Sequence, residues 1–284
     1  MLQAFQPHLA VAGFRTSEKT GKEARVLCST VIASRLRAET FVHHVELHGE
    51  LPSTNDRALE LAVDQGVPTP AIVLTERQTS GRGRGGNIWQ SGPGALTFSL
   101  LIDRPQALMA ERAPLLSLVA GLAVRDAVAA VARGHVVQVK WPNDVYLDGR
   151  KVCGILIEIP SAAANRMAIG IGVNVNNDFA GAPADLRQRA VSVSEVLGRP
   201  ADMAETLVSL LIRLEAELTA LAATGGLPMG RWAAHCLLTG REVVLKTPGG
   251  EFAGHCLGIS EEGSLLLDGP DGPQAFRGGE IVSF

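Results

Sequence analysis

The sequence has few of the features that mark a secreted, metal-bearing or nucleic-acid-coating protein. It holds four cysteines in 284 residues, Cys28, Cys153, Cys236 and Cys256, and no two of them form a C-x-x-C pair. That spacing indicates neither a zinc site nor a disulfide frame, and the histidines show no ligand spacing, so no metal centre is expected. Positive charge is also short. The 26 Lys and Arg against 29 Asp and Glu leave a net charge of −3, which argues against a broad nucleic-acid surface but leaves room for a local basic loop. There is no signal-peptide pattern and no run of about 18 apolar residues flanked as a membrane helix. The expected compartment is the cytoplasm, with no membrane partner. Hydrophobic residues make up 46% and charged ones 19%, enough for a substantial core. The length suits one large domain with a smaller companion.

What is present is concentrated in one stretch, Thr79-Ser80-Gly81-Arg82-Gly83-Arg84-Gly85-Gly86-Asn87-Ile88-Trp89. Its glycines remove side chains where backbone N–H groups need to approach a ligand. Its two arginines present planar forks suited to carboxylate or phosphate. A strand over 71–76 delivers the loop and another over 95–102 carries the chain away, so the stretch reads as an anion site. Gly81, Gly83 and Gly86 also satisfy G-x-G-x-x-G, but that fingerprint needs a helix to follow. Here a turn cluster and a strand follow instead. One Arg-Gly segment in an acidic chain is likewise a poor match to the repeated, basic segments that coat nucleic acid.

Along the rest of the chain the pattern is mixed. Residues 1–40 read as an N-terminal extension of unknown order, with a short helix over 26–36. A strand over 41–47 leads to a helix from Ser53 to about 65, where Ser53 and Asp56 resemble a capping box. Residues 114–133 form a long helix, apolar around most of its circumference, that core packing explains. In 135–141 Val137, Val139 and Trp141 alternate with Gln138 and Lys140. Trp141-Pro142 ends that strand and leaves Lys140 near its end. Asp148-Gly149 is a hairpin turn that returns 151–159 alongside. Gly154 interrupts the returning strand, as expected where a ligand crosses closely. A strand over 167–175 carries Gly170 and Gly172, which leave room for a flat group. Residues 177–191 read as a mobile loop, followed by helices over 192–197, 203–221 and 230–236. From 240, short strands over 242–246, 251–260, 264–268 and 273–276, spaced by Gly/Pro turns, indicate a small barrel.

The loop 81–89, taken with Lys140-Trp141-Pro142-Asn143-Asp144, resembles the bacterial biotin–protein ligases, and the resemblance covers roughly 51–284. It implies an α+β fold, with a mixed-sheet catalytic domain of the class II synthetase/biotin ligase type over 41–238. A small SH3-like β-barrel over 239–284 would follow. It implies ATP and biotin as substrates, Mg²⁺ on the phosphates, and transfer of biotin to a lysine of a biotin carboxyl carrier protein. That carrier would belong to acetyl-CoA carboxylase or a related biotin-dependent carboxylase. A homodimer is compatible with it.

The resemblance assigns biotin contacts to Ser53, Thr54, Asn55, Gln78, Gly81, Arg82, Gly83, Arg84, Lys140 and Gly154. The Gln78 amide offers a cyclic urea both a donor and an acceptor. Nucleotide contacts fall on Arg84, Trp89, Asn143, Lys151 and Asn174, and the catalytic cations are Lys140, Arg82 and Arg84. Asn143 and Asp144 are expected to brace the turn and orient Lys140, and Trp89 to stack as the loop closes. Many relatives carry a basic residue where this chain has Asn87, and Gly85 adds no charge, so loop charge is lower here. Only 52 residues precede Ser53, too few for the winged helix-turn-helix and linker of the repressor relatives, so DNA is not an expected partner. Lipoate–protein ligase shares the fold and adenylation logic, but its arginine-serine-glycine loop is missing. A biotin-sensing regulator is the remaining alternative.

Overall fold

The computed structural model describes residues 30–104 and 113–284. Expectations for residues 1–29 lie outside the described residues. Within 30–40 the extension proves to be part of the body: α1 (Thr30–Glu39) buries Ile32 and Leu36 in the main core.

The larger unit is a seven-stranded mixed sheet of β1 (His44–Leu51), β2 (Ala71–Gln78), β3 (Ala95–Asp103), β4 (Val137–Lys140), β5 (Asp144–Leu147), β6 (Arg150–Glu158) and β7 (Arg166–Asn174). Their spatial order is β1-β2-β3-β7-β6-β5-β4. β1 and β2 run parallel, joined by α2 (Thr54–Val63), and the remaining neighbours are antiparallel. β1 begins later and runs further than its apolar residues suggest. Its polar end, His48 to Leu51, stays in the ladder because it pairs with β2 as far as Gln78. Asp148 and Gly149 both take positive φ, 47° and 79°, the conformation a two-residue hairpin requires.

Strand alternation divides the sheet into two faces. Ile72, Leu74, Leu96, Phe98 and Leu100 pack into the large core beneath α3 (Ala113–Val131). By length and composition, Pro114–Val131 of α3, the helix expected over 114–133, could cross a membrane. In the fold it is a core helix, with Leu116, Ala120, Leu122, Ala123 and Val124 fully buried. Ala71, Val73, Leu101 and Ala168 face the other way, under Ala58, Leu61 and Ala62 of α2.

The expected loop 177–191 contains α4 (Ala184–Arg189), and α5 (Val193–Leu197) follows it. Next come α6 (Met203–Thr224), capped by Asp202, and α7 (Met229–His235). The smaller unit is a five-stranded antiparallel sheet of β8 (Glu242–Thr247), β9 (Gly250–Ile259), β10 (Leu265–Gly269), β11 (Gly272–Phe276) and β12 (Glu280–Ser283), ordered β11-β10-β9-β8-β12. Trp141, 1% exposed, donates its indole N–H to the Gly263 carbonyl at 3.0 Å. That bond fixes the small unit beside the end of β4.

Candidate active site

The face covered by α2 runs out of helix before it runs out of sheet. Across the uncovered part, ladder partners form one continuous row: Thr75, Thr97, Gly172, Gly154, Asp144 and Lys140. The row beneath, towards α2, is Val73, Ser99, Gly170 and Leu156. Directly paired residues point to the same face. The sequence therefore lays a floor of hydroxyls and glycines that ends in an acid and a lysine. Above it lies a cavity of about 810 Å³, walled by the glycine loop, α4, β12 and Phe284.

One end of the cavity is a neutral polar clamp at the start of α2. The Gln78 Oε1 accepts from the Thr54 N–H at 2.7 Å and from its hydroxyl at 3.1 Å. Ser99, fully buried, places its hydroxyl 2.8 Å from Thr54 Oγ1 and 2.5 Å from Asn55 Oδ1. Asn55 Nδ2 donates to the Leu156 carbonyl and to Glu158. The expected double role of Gln78 is therefore halved: its oxygen is already used, and only its NH₂ group remains for a ligand. Ser53 does cap α2, accepting from the Asp56 N–H at 3.4 Å, while also lining the cavity.

The loop curls on itself as a small hairpin. Gly83 N–H donates to the Asn87 carbonyl and Trp89 N–H to the Gly81 carbonyl. A Cβ at Gly81 would land on the Trp89 carbonyl oxygen, so glycine is required there. The space left by Gly172 and Gly154 is filled by the Trp89 side chain, with which a Cβ at Gly172 would collide. Its indole N–H is buried and has no hydrogen-bond partner. Gly170 leaves room for the Asn55 amide. What lies against the floor in this structure is thus the chain's own indole and amide.

Lys140 stands at the far end, 7% exposed. Burial lowers its pKa, with Lys151 adding to the drop and Asp144 and Glu280 opposing it. Its ammonium lies 5.1 Å from the centre of the Phe284 ring and 5.7 Å from that of Tyr146. Asp144 pairs with Lys151, and Asn143 donates to the Ile155 carbonyl at 2.8 Å. Both brace the β4–β5–β6 turn region as expected. Arg84 donates to the Gly279 carbonyl at 2.9 Å, and burial lowers its pKa against the pull of Asp144.

The structure brings most of the expected residues to one cavity: Ser53, Thr54, Asn55, Gln78, Arg82, Gly83, Arg84, Trp89, Lys140, Asn143, Lys151 and Gly154. Gly81 and Asn174 are not among its walls. Asn174 is 3% exposed, and its oxygen accepts from Asn177 at 3.1 Å, so its amide is occupied in holding the turn after β7. Arg82 lines the cavity while pairing with Asp56 and Glu158. The missed residues are Ser99, Tyr146, Glu158, Gly279 and Phe284. Ser99 and Glu158 had a signal, a polar residue within an otherwise apolar strand. Tyr146 reaches the site through the pairing of β5 with β4, while Gly279 and Phe284 come from the small unit and depend on the two units docking.

A neutral amide–hydroxyl clamp, a glycine loop and a buried lysine on one floor define a site for a polar, uncharged ring carrying an anionic tail. Comparison with known proteins gives the class a family. The Biotin/lipoate A/B protein ligase family matches residues 50–176, and the Biotin protein ligase C terminal domain matches residues 238–282. The bifunctional ligase/repressor BirA of Bacillus subtilis (strain 168) is 33% identical over 275 residues, covering 95% of this chain and 82% of that protein. The biotin--[acetyl-CoA-carboxylase] ligase of Paracoccus denitrificans is 34% identical over 241 residues, 81% of this chain and 96% of its own. Among solved structures, the biotin protein ligase from Aquifex aeolicus in complex with biotin and ATP superposes with a TM-score of 0.73 at 31% identity, covering 84% of this chain and 97% of that one. This chain belongs to the biotin protein ligases, within the biotin/lipoate protein ligase family.

Proposed function

We propose that the chain joins biotin to ATP as biotinyl-5′-AMP in this cavity and then passes biotin to a lysine of a biotin carboxyl carrier protein. The observation that carries the reading is Lys140, buried at the end of the floor opposite the Thr54–Asn55–Gln78 clamp. Biotin's ureido ring suits the clamp, where the Gln78 NH₂ group can donate to its carbonyl. The carboxylate tail then extends along Gly154 towards Lys140. That carboxylate is already ionised and attacks the α-phosphorus of ATP without a protein base, and pyrophosphate leaves. Two anions must meet, so catalysis rests on positioning and on cations fixed beforehand. Lys140, Arg84 and Lys151 supply them, and Trp89 closes over the product. In the second step a neutral lysine amine attacks the acyl carbon, and AMP departs.

Mg²⁺ enters with the nucleotide. Among the described residues no cluster of three His, Cys, Asp or Glu side chains is placed to hold a metal, so phosphate and water are its expected ligands. The match to a biotin C-terminal domain favours biotin over lipoate, and we place the reaction in the cytoplasm. We divide the chain into the sheet domain, ending near 238, and the small β domain after it, with residues 30–40 joining the former through α1. The test is to mix the protein with ATP, a carrier domain and either biotin or lipoate, and read the added mass. Biotin alone should be transferred. A DNA-shift assay, expected to be negative, separates the ligase from the repressor role named in the Bacillus relative.

A further inference from the structure

Only five of the 26 basic residues are lysines, and two of these, Lys19 and Lys22, lie outside the described residues. The other three, Lys140, Lys151 and Lys246, all line the cavity of the candidate site. They come from three strands, β4, β6 and β8, and the last belongs to the small unit. A chain that uses arginine almost everywhere else thus keeps its compact, strongly hydrated point charges for this cavity. Lys140 and Lys151 already have parts in the reaction, whereas Lys246 has none.

Lys246 stands near the end of β8, just before a turn that is tied to itself. There Thr247 Oγ1 donates to the Gly250 carbonyl at 3.0 Å and accepts from the Gly249 N–H at 3.2 Å. The lysine is left exposed at the cavity wall. Its ladder partner on β12 is Glu280, so both side chains face the same way. Glu280 also acts electrostatically on Lys140, and Arg84 donates to the adjacent Gly279 carbonyl. Six cations and two acids line the cavity. Arg82 pairs with Asp56 and Glu158, Arg189 with Asp185, and Lys151 with Asp144. Among the described residues, Arg84, Lys140 and Lys246 keep no ion-pair partner, against the single unpaired acid, Glu280. The excess positive charge is therefore gathered where the two units meet.

We propose that Lys246 is a substrate-binding residue for the β- and γ-phosphates of ATP and for the pyrophosphate they become. The proposal rests on the ligase reading for its ligand, and goes beyond it in giving the small domain a cation that serves the first half-reaction alone. Adenylation breaks the bond from the α-phosphorus to its bridging oxygen, and the electron pair leaves with pyrophosphate. That charge builds in line with, and opposite to, the attacking carboxylate, so it calls for a cation separate from the one at the carboxylate. Lys246 is a cation of this kind that the reaction has not yet used. When biotin passes to the carrier lysine, AMP departs, no β-phosphate is present, and Lys246 has nothing to hold.

The experiment compares wild type, Lys246→Ala and Lys246→Arg, at an exposed position where folding is not at risk. Binding of inorganic pyrophosphate with Mg²⁺, and of AMP as the control, is measured by calorimetry. Single-turnover formation of biotinyl-AMP is followed against ATP concentration, and transfer to the carrier is timed from purified biotinyl-AMP. Lys246→Ala should weaken pyrophosphate binding and raise the half-saturating ATP about three- to tenfold, more than an isolated exposed pair because the ligand carries several charges. AMP binding and transfer from biotinyl-AMP should hardly change, and Lys246→Arg should recover most of the loss. Unchanged pyrophosphate and ATP dependence in Lys246→Ala, an equal loss in transfer from biotinyl-AMP, or no recovery with arginine would overturn the proposal. If wild type makes no biotinyl-AMP yet binds pyrophosphate through Lys246, the ligase reading fails and the phosphate site stands.

Discussion

Phe284, beyond the last strand of the small β domain, faces Lys140 on the sheet domain with 5.1 Å between ring centre and ammonium. Tyr146 stands edge-on to the same ring at 5.9 Å. The lysine's surroundings therefore come from both units. β4 supplies the side chain, β5 supplies Tyr146 and Asp144, and the small domain supplies Phe284 and Glu280. The charge proposed to meet the two substrate anions is set in part by a domain that holds none of the loop.

That placement gives the first prediction a pH dependence. In the proposed reaction Lys140 works as a cation, and burial lowers its pKa. The cation is complete below that pKa and is lost as pH rises through it. Pyrophosphate release should therefore fall on the alkaline side, at a lower pH than a free lysine near about 10.4 would give. Lys140→Ala should lower adenylation by on the order of 10²–10³ and affect biotin binding less. Lys140→Arg keeps the charge and should lose the alkaline limb. A limb that survives in the arginine variant belongs to another group.

Phe284→Ala should weaken adenylation without disturbing the clamp, 78 to 55 to 99, on the opposite side of the floor. A cation–π contact is worth about 0.5–2 kcal/mol, so a loss of roughly two- to thirtyfold in single-turnover rate is expected, with biotin affinity retained. A similar drop in biotin affinity would mean that the ring supports the whole cavity rather than the lysine.

Much of this was legible from the residues because local chemistry and final placement agree. The Asp148-Gly149 turn, the proline after Trp141 and the glycines of β6 and β7 each say where backbone bends or where something must come close. The alternation of 135–141 put Lys140 at the correct end of its strand. Other features depended on which strands become neighbours. The row from Thr75 to Lys140 joins six residues from six strands, and no local pattern orders β7 between β3 and β6. Arg82 shows the reverse problem. Its residue type suits an anion, but the two carboxylates that claim it lie 26 and 76 residues away in sequence. β12 was missed because a four-residue strand after two glycines carries almost no alternation of its own.

The glycines of the floor make separable predictions. Gly172→Ala places a methyl group where the Trp89 indole lies. The other two tryptophans, Trp141 and Trp232, are each 1% exposed, so a red shift in ligand-free emission would report Trp89 leaving the floor. Gly170→Ala instead strikes the Asn55 amide and should weaken biotin binding on the order of tenfold, since overpacking one methyl costs about 1–3 kcal/mol. Emission should hardly change in that variant. If both variants behave alike, the clamp and the indole are not independent occupants of the floor.

The last prediction separates closing the loop from building it. Arg84 ties the loop to the small domain through the Gly279 carbonyl, and it is one of the cations available to the phosphate. Arg84→Gly removes both, yet leaves the Gly81–Trp89 and Gly83–Asn87 backbone bonds to shape the hairpin. Synthesis of biotinyl-AMP should continue at a reduced rate while retention suffers. A charge-assisted contact contributes about 1.5–3 kcal/mol, so the adenylate should escape roughly ten- to a hundredfold faster and acylate lysines on bystander proteins. Gly81→Ala acts earlier. Its Cβ meets the Trp89 carbonyl, the hairpin cannot close, and synthesis itself should fall with little leakage. Incubating each variant with biotin, ATP and an unrelated protein, then probing that protein for biotin, distinguishes the two. Carrier-only labelling by Arg84→Gly would show that retention does not depend on the arginine's tie to the small domain, and strong bystander labelling by Gly81→Ala would show that synthesis does not need the hairpin.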